Sequence, residues 1–129
     1  MLPSTADRLK QATDNEAFAT AICDGIKAHF GWAITSLYYA LVQVSRAYLA
    51  SAGRPAITSH SQFQSEFVRT TGDAALYALY REMQDSSEEA RYDCNPFSLA
   101  EVQQLRENVY RPCKEGMVKL IQALSPKKP

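Results

Sequence analysis

The chain has 129 residues, of which 46% are hydrophobic, and its 14 basic residues balance 14 acidic ones to a formal net charge of zero. This length suits one domain and the hydrophobic fraction suffices for a core, so disorder is expected only at the ends. The balanced charge argues against a dedicated nucleic-acid-binding protein, which usually carries a strong basic excess.

The first predicted helix begins near Ser4, which follows Pro3 and precedes an aspartate by three residues. A second start signal lies at Thr13, because Glu16 follows three residues later as in a capping box. The sequence therefore leaves open whether residues 4 to 30 form one helix or two. Apolar residues continue at helical spacing to the end of this segment, namely Ala17, Phe18, Ala21, Ile22, Ile26 and Phe30.

The second predicted helix, from about Trp32 to Ala52, is rich in aromatic residues. Its apolar residues cover more than one face, which predicts a position at the centre of a helical bundle. Gly53 is well placed to end this helix, and Pro55 prevents its continuation.

A third and a fourth helix are predicted after the short loop from Arg54 to Thr58. Ser59 and Gln62 have capping-box spacing at the start of the third helix, and Gly72 interrupts it. The fourth helix is expected from about Asp73 to Ala90. The apolar residues of the two helices have helical spacing, namely Phe63, Phe67, Val68, Leu76, Leu79, Tyr80 and Met83.

The last predicted helix follows a turn at Asn95-Pro96, and Ser98 with Glu101 forms its capping box. Pro112 lies within the helical pattern and is predicted to kink or end the helix, because its ring displaces the carbonyl four residues back. The pattern then resumes to Leu124, and residues 125–129 are expected to be a frayed tail. The whole chain, residues 1–129, is therefore predicted to be a single all-α domain.

The cysteines, the N-terminus and the lack of a long apolar run indicate the cellular compartment of the protein. Cys23, Cys94 and Cys113 are odd in number and contain no C-x-x-C pair, which argues against a disulfide framework and a structural zinc. The N-terminus lacks the pattern of a signal peptide, and no apolar run approaches the roughly 18 residues of a membrane span. These observations predict a cytoplasmic protein with reduced thiols and no membrane association.

Three segments of the chain resemble the HEPN superfamily of small helical bundles. Gly31 to Ala40 reads GWAITSLYYA, Ser59-His60 follows Gly53 after a loop, and a later helix ends in Ala90-Arg91-Tyr92. The likeness spans roughly residues 15 to 120. It implies a four- to five-helix up-and-down bundle that is usually a homodimer.

The resemblance also implies a range of activities. Members of the superfamily include metal-independent RNA-cutting toxins, anti-phage ribonucleases and partners of nucleotidyltransferases. The nucleases carry an arginine, four to six residues, and then a histidine, and Arg54 and His60 have five residues between them. Pro55 follows the arginine here, whereas the nucleases usually have a polar residue at that position.

His60 and Arg54 are the candidate catalytic residues if the chain is a nuclease. In the first turn of a helix the macrodipole disfavours the imidazolium, so His60 is expected to be neutral and able to accept a proton from a ribose 2′-hydroxyl. Arg54 would then hold the phosphate through a bidentate contact. In the alternative interpretation, His60 caps or packs the helix and Arg54 is a solvated loop charge.

Arg91 and Tyr92 are the candidate ligand-binding residues. In the alternative interpretation, they cap the carbonyls at the helix end and pack against the core. His29 is expected to end the first helical segment, where the dipole favours a cation. The acidic residues Glu82, Asp85, Glu88 and Glu89 are expected to form a solvated helix face, and the seven tyrosines to lie mostly in the core or a dimer interface. No metal and no cofactor are predicted.

Two functions from different classes remain open at this point. The first is a non-catalytic binding or assembly module, dimeric, in a defence or toxin–antitoxin setting, with RNA, a nucleotide or a partner protein as its ligand. The second is a metal-independent endoribonuclease that uses Arg54 and His60. Pro55 and the zero net charge favour the binding module.

Overall fold

The structure, a computed structural model, describes residues 4–24, 29–53, 60–92 and 97–124. These residues form helices and contain no strand, which confirms the all-α prediction. The helices are α1 (Thr5–Asp24), α2 (Phe30–Ser51), α3 (His60–Thr71), α4 (Ala74–Tyr92), α5 (Leu99–Leu105) and α6 (Arg111–Leu124), with a π-helical turn (Arg106–Tyr110) joining the last two. None of the described helices is long and apolar enough to cross a membrane.

Residues Thr5–Asp24 form one continuous helix, so the chain does not break at Thr13. Ser4 caps α1, because its hydroxyl accepts the Asp7 N–H at 3.1 Å and its own N–H is donated to the Asp7 carboxylate at 3.0 Å. This hydrogen bond to the carboxylate lowers the pKa of Asp7. The second start signal at Thr13 is not used, since the Thr13 hydroxyl donates to the Leu9 carbonyl inside the continuous helix.

Helix α2 lies at the centre of the molecule, as its all-round apolar pattern predicts. It packs against α1, α4, α5 and α6, and 13 of its residues are buried. Its end also follows the prediction. Gly53 adopts a left-handed conformation with φ of 82°, and its N–H donates to the Ala50 carbonyl.

Helices α3 and α4 cover α2 through a cluster of aromatic rings. Phe67 is fully buried between Tyr48 of α2 and Phe63 of its own helix, and Phe63 packs on Tyr80 with ring centroids 4.8 Å apart. Gly72, at φ of 67°, separates the two helices as predicted, and the following aspartate caps α4. The predicted Ser59 cap and the loop before it lie outside the described residues.

Pro112 does not end the last helical segment, so this half of the prediction is wrong. The other half, a kink, stays a prediction, although the helix is irregular just before the proline. The chain stays helical from α5 to α6 because the turn before the proline is π-helical, with the Arg111 N–H donating to the Arg106 carbonyl five residues back. The wider turn relieves the clash between the proline ring and the preceding carbonyl, and it tolerates the missing N–H. The Ser98–Glu101 capping box at the start of α5 is present, as predicted.

Candidate ligand-binding cleft

A cleft of about 610 Å³ lies where the start of α2 meets the end of α4, and we call it the α2–α4 cleft. The helices approach closely here, since a Cβ placed on Gly31 would lie only 3.3 Å from the Ala90 Cβ. This pair of small residues forms the base from which longer side chains diverge. The residues that line the cleft are His29, Gly31, Trp32, Thr35, Ala90, Arg91 and Tyr92.

Arg91 is held in place by three aromatic rings, which we call the Arg91 cage. Its guanidinium carbon lies 5.1 Å from the ring centroid of Tyr92, 5.6 Å from that of Tyr39 and 6.0 Å from that of Tyr38. Cation–π attraction at these distances stabilises the charge. The Nη1 group also donates to the Tyr39 hydroxyl at 2.8 Å, and Nε donates to the Ser87 carbonyl at 3.3 Å.

The positive charge of Arg91 is not neutralised within the part of the chain that the structure describes, where no carboxylate forms an ion pair with it. A guanidinium has five N–H groups, and the two hydrogen bonds above use two of them. The other three have no partner among the described residues, and a guanidinium binds an anionic ligand through paired hydrogen bonds of this kind.

Two large aromatic side chains stand exposed at the rim of the cleft. Trp32 is 60% exposed and Tyr92 is 73% exposed, although aromatic side chains of this size usually bury most of their surface. They lie on opposite walls, one on the first turn of α2 and the other at the last residue of α4. Exposed rings of this kind offer flat faces on which a planar ligand stacks.

The floor of the cleft carries an unusual polar group. Thr35 is only 2% exposed, and its hydroxyl oxygen has no hydrogen-bond partner among the described residues. Buried hydroxyl groups nearly always have a partner, and leaving one without costs about 1–3 kcal/mol. The cleft therefore combines a cation, stacking faces and an unsatisfied hydroxyl.

Arg91 and Tyr92, the ligand-binding candidates of the sequence, both line this cleft. Arg91 does contact a carbonyl of its own helix, as its alternative interpretation holds, but Tyr92 lies on the surface rather than on the core. His29 directly precedes α2, where its carbonyl accepts the N–H groups of Trp32 and Ala33. The prediction that it ends the first helical segment is not tested, because residues 25–28 lie outside the described residues.

Sequence reasoning missed three residues of the site. Trp32 and Tyr39 belong to the helix that the sequence predicts to be central, where the tyrosines are expected mostly in the core or a dimer interface, and Thr35 has no predicted role. The order in which Trp32, Thr35 and Tyr39 follow one another is the one available signal, since a spacing of three and four residues places them on one helix face.

The structure does not describe the side chains of the candidate catalytic pair, Arg54 and His60. α3 begins at His60, which places this residue at a helix N-terminus as predicted, but its side chain and the whole of Arg54 lie outside the described residues. The same holds for Cys94. Cys113 is a buried free thiol, and burial raises its pKa to about 12, so it is unreactive at neutral pH.

The acidic residues of α4 form a solvated face, as predicted. Glu82, Asp85, Glu88 and Glu89 are exposed, and Asp85 accepts a hydrogen bond from Arg81 at 3.0 Å. Within the described ranges, no group of three side chains of the types that ligate metals comes together.

A second polar cluster joins α1 to the last helical segment. The Glu16 carboxylate accepts a hydrogen bond from the Tyr110 hydroxyl at 2.6 Å and another from the Lys114 ammonium. Burial disfavours the ionised form of Glu16, but these two hydrogen bonds outweigh it and lower the pKa of the carboxyl. The cluster acts as a clamp between helices that are distant in sequence.

No protein-family model matches the chain, and searches of curated proteins and of solved structures found no match. The class of protein that the fold and the site define is therefore a helical bundle with an open, cationic and aromatic cleft.

Proposed function

We propose that the chain is a HEPN-like, non-catalytic binding and assembly module, and that its ligand site is the α2–α4 cleft. The observation that carries this proposal is the Arg91 cage. Aromatic rings fix this guanidinium beside a cleft, and within the described part of the chain it has no carboxylate partner and three N–H groups without a hydrogen bond. The rings and hydrogen bonds restrict Arg91 before any ligand arrives, which reduces the entropy lost on binding.

The chemistry of the cleft favours a ligand that is both anionic and planar. Arg91 offers paired donors for a phosphate or carboxylate, and Trp32 and Tyr92 offer exposed ring faces. A nucleotide or a short stretch of single-stranded RNA combines the two features. Because the chain has no net charge, one local cation rather than a broad basic surface has to attract this ligand.

The assembly part of the proposal follows the resemblance to the HEPN superfamily. It comprises a homodimer in the cytoplasm, in a defence or toxin–antitoxin setting, with a partner protein.

The sequence predicts that exposed apolar residues on α3 and α4 form the dimer surface. Among the described side chains, α3 exposes no large apolar residue, whereas α1 exposes Phe18. Sedimentation velocity of the wild type and of Phe18→Ser tests whether α1 forms the dimer contact.

Binding is tested with a fluorescein-labelled single-stranded RNA decamer and with ribonucleoside 5′-monophosphates, by anisotropy and calorimetry. Arg91→Ala is expected to weaken binding at least tenfold, since a charged hydrogen-bonded contact is lost. Arg81→Ala is the matched control, because Arg81 is an exposed arginine on the same helix that pairs with Asp85. If the wild type binds none of these probes, or if both variants bind equally, the proposal is wrong.

The alternative function, a metal-independent endoribonuclease, has one supporting observation. α3 begins at His60, and the N-terminus of a helix is where the dipole keeps an imidazole neutral and able to act as a base. Cleavage of total RNA in the presence of EDTA decides between the two functions. Loss of cleavage in His60→Ala supports the nuclease, whereas equal trace cleavage in both proteins leaves the binding module.

A further inference from the structure

We infer that Thr35 is the residue that selects the ligand of the α2–α4 cleft, by forming a hydrogen bond to the edge of a planar ring. This inference rests on the proposed function, because it takes the cleft to be the ligand site. The ligand class that follows is an anionic molecule whose ring carries hydrogen-bonding atoms at its edge. A ring that is merely apolar would leave Thr35 without a partner.

Thr35 differs from other threonines in the described helices. Thr13, Thr20 and Thr71 each donate a hydrogen bond to the carbonyl four residues back, at 3.1, 3.2 and 2.8 Å. This is the usual way in which a threonine inside a helix satisfies its hydroxyl. Thr35 has no such bond, although it lies well inside α2 and is more buried than they are. Its hydroxyl therefore departs from the pattern that these three threonines set.

The position of Thr35 relates its hydroxyl to the cleft. Thr35 lines the cleft one turn along α2 from Gly31 and on the same helix face as Trp32. The hydroxyl oxygen itself is closed to solvent, so a ligand reaches it by displacing the side chains that cover it. In the proposed pose a ring enters beside Trp32 and brings its edge to this hydroxyl, while its anionic group meets Arg91. A hydroxyl both donates and accepts, so it pairs with a ring nitrogen, a ring carbonyl or an amino group.

A missing partner does not by itself mark a ligand site, because the Ser87 hydroxyl is also buried without a partner among the described residues and Ser87 does not line the cleft. What distinguishes Thr35 is its place in the lining of the cleft. Ser45 provides the control, because it is buried on the same helix, its hydroxyl donates to the Val42 carbonyl at 2.9 Å, and it does not line the cleft. If Thr35 selects the ligand, removal of the Thr35 hydroxyl changes binding and removal of the Ser45 hydroxyl does not.

The experiment measures the affinity of the wild type, Thr35→Val and Ser45→Ala for two kinds of probe. The first kind is a ribonucleoside 5′-monophosphate, tested with each of the four bases, and the second is phenyl phosphate, whose ring has no hydrogen-bonding edge. Thr35→Val is expected to weaken binding of the preferred monophosphate about tenfold. It should leave binding of phenyl phosphate within about twofold, and Ser45→Ala should leave both affinities unchanged.

The melting temperature of each variant separates selection from a merely structural role. Valine has nearly the shape of threonine, so removing a hydroxyl without a partner is expected to keep or raise the melting temperature. If Thr35→Val has a lower melting temperature and loses affinity for both probes equally, Thr35 only supports the fold. That result would overturn the inference.

The remaining outcomes distinguish this inference from the proposed function. If Thr35→Val binds the monophosphate as the wild type does while Arg91→Ala does not, the cleft is the ligand site but Thr35 does not select. If the wild type binds phenyl phosphate as tightly as the preferred monophosphate, the inference is again wrong and the anion-binding cleft stands. The RNA decamer in the same series shows whether the ring comes from a free nucleotide or from a strand.

Discussion

Arg91, in the last turn of α4, donates a hydrogen bond of 2.8 Å to the hydroxyl of Tyr39 on α2, which lies 52 residues earlier in the chain. The same tyrosine ring lies under the guanidinium, so one side chain both orients and stabilises the cation. The Nε bond to Ser87 fixes the opposite edge of the guanidinium. Tyr39 is therefore a positioning residue for the proposed ligand contact.

Tyr39→Phe is expected to weaken binding of the RNA decamer three- to tenfold, because Arg91 loses the hydrogen bond but keeps the ring. Stability should change by less than about 0.5 kcal/mol, since the Tyr39 side chain is exposed. Tyr92→Phe serves as the control, because it keeps the ring that contacts Arg91, and among the described residues the hydrogen bonds of Arg91 go to Ser87 and Tyr39. Equal affinities of Tyr39→Phe and the wild type in anisotropy titrations would contradict the positioning role.

The clamp at Glu16 predicts a dependence of stability on pH. Glu16→Gln is expected to lower the free energy of unfolding at pH 7 by about 1 kcal/mol, because the charge that strengthens the contacts with Tyr110 and Lys114 is removed. Urea unfolding measures this difference. Glu115→Gln is the control, since Glu115 lies beside the same cluster and is exposed.

The sign of the pH effect follows from the lowered pKa of Glu16. A carboxyl whose pKa is lower in the folded state stabilises that state above its unfolded value, near 4.5, and loses this contribution as the pH falls through the folded value. The difference between wild type and Glu16→Gln should therefore shrink between pH 7 and pH 3. A difference that stays constant over this range would show that the charge of Glu16 does not stabilise the clamp.

Gly53 is expected to tolerate substitution poorly because of its backbone rather than its surroundings. A Cβ at this position would meet nothing within 4 Å, but φ is 82°. Gly53→Ala should therefore lower the free energy of unfolding by about 1 kcal/mol, and Gly53→Asn by less, since asparagine adopts this conformation more readily. Urea unfolding of both variants checks this order, and an alanine variant as stable as the wild type would contradict it.

The aromatic cluster under α3 is expected to carry much of the stability of the fold. Phe67→Ala should cost about 3 kcal/mol or more, because Phe67 is fully buried among Tyr48, Phe63 and Tyr77. Phe18→Ala, at an exposed position of α1, should change stability by no more than about 0.5 kcal/mol in the monomer. Thermal or urea unfolding at low protein concentration compares the two, and similar losses would contradict the assignment of the core.

The features that the sequence by itself determined are those whose causes are local. Ser98 and Glu101 form a capping box because the spacing alone brings the two groups together, and Gly53 ends α2 because few other residues accept its φ. The central place of α2 follows from its composition, since a helix that is apolar on several faces has to be covered on several faces.

Only the tertiary structure decided which parts of α2 stay open and how the chain passes Pro112. Trp32 is exposed because the neighbouring helices leave the first turn of α2 uncovered, and no local pattern specifies where a distant helix ends. The π-helical turn keeps Tyr110 buried and bonded to Glu16 on α1, so packing overrides the local tendency of Pro112 to break a helix. The α2–α4 cleft depends in the same way on the approach of Gly31 and Ala90, since contacts between residues far apart in sequence decide which side chains meet.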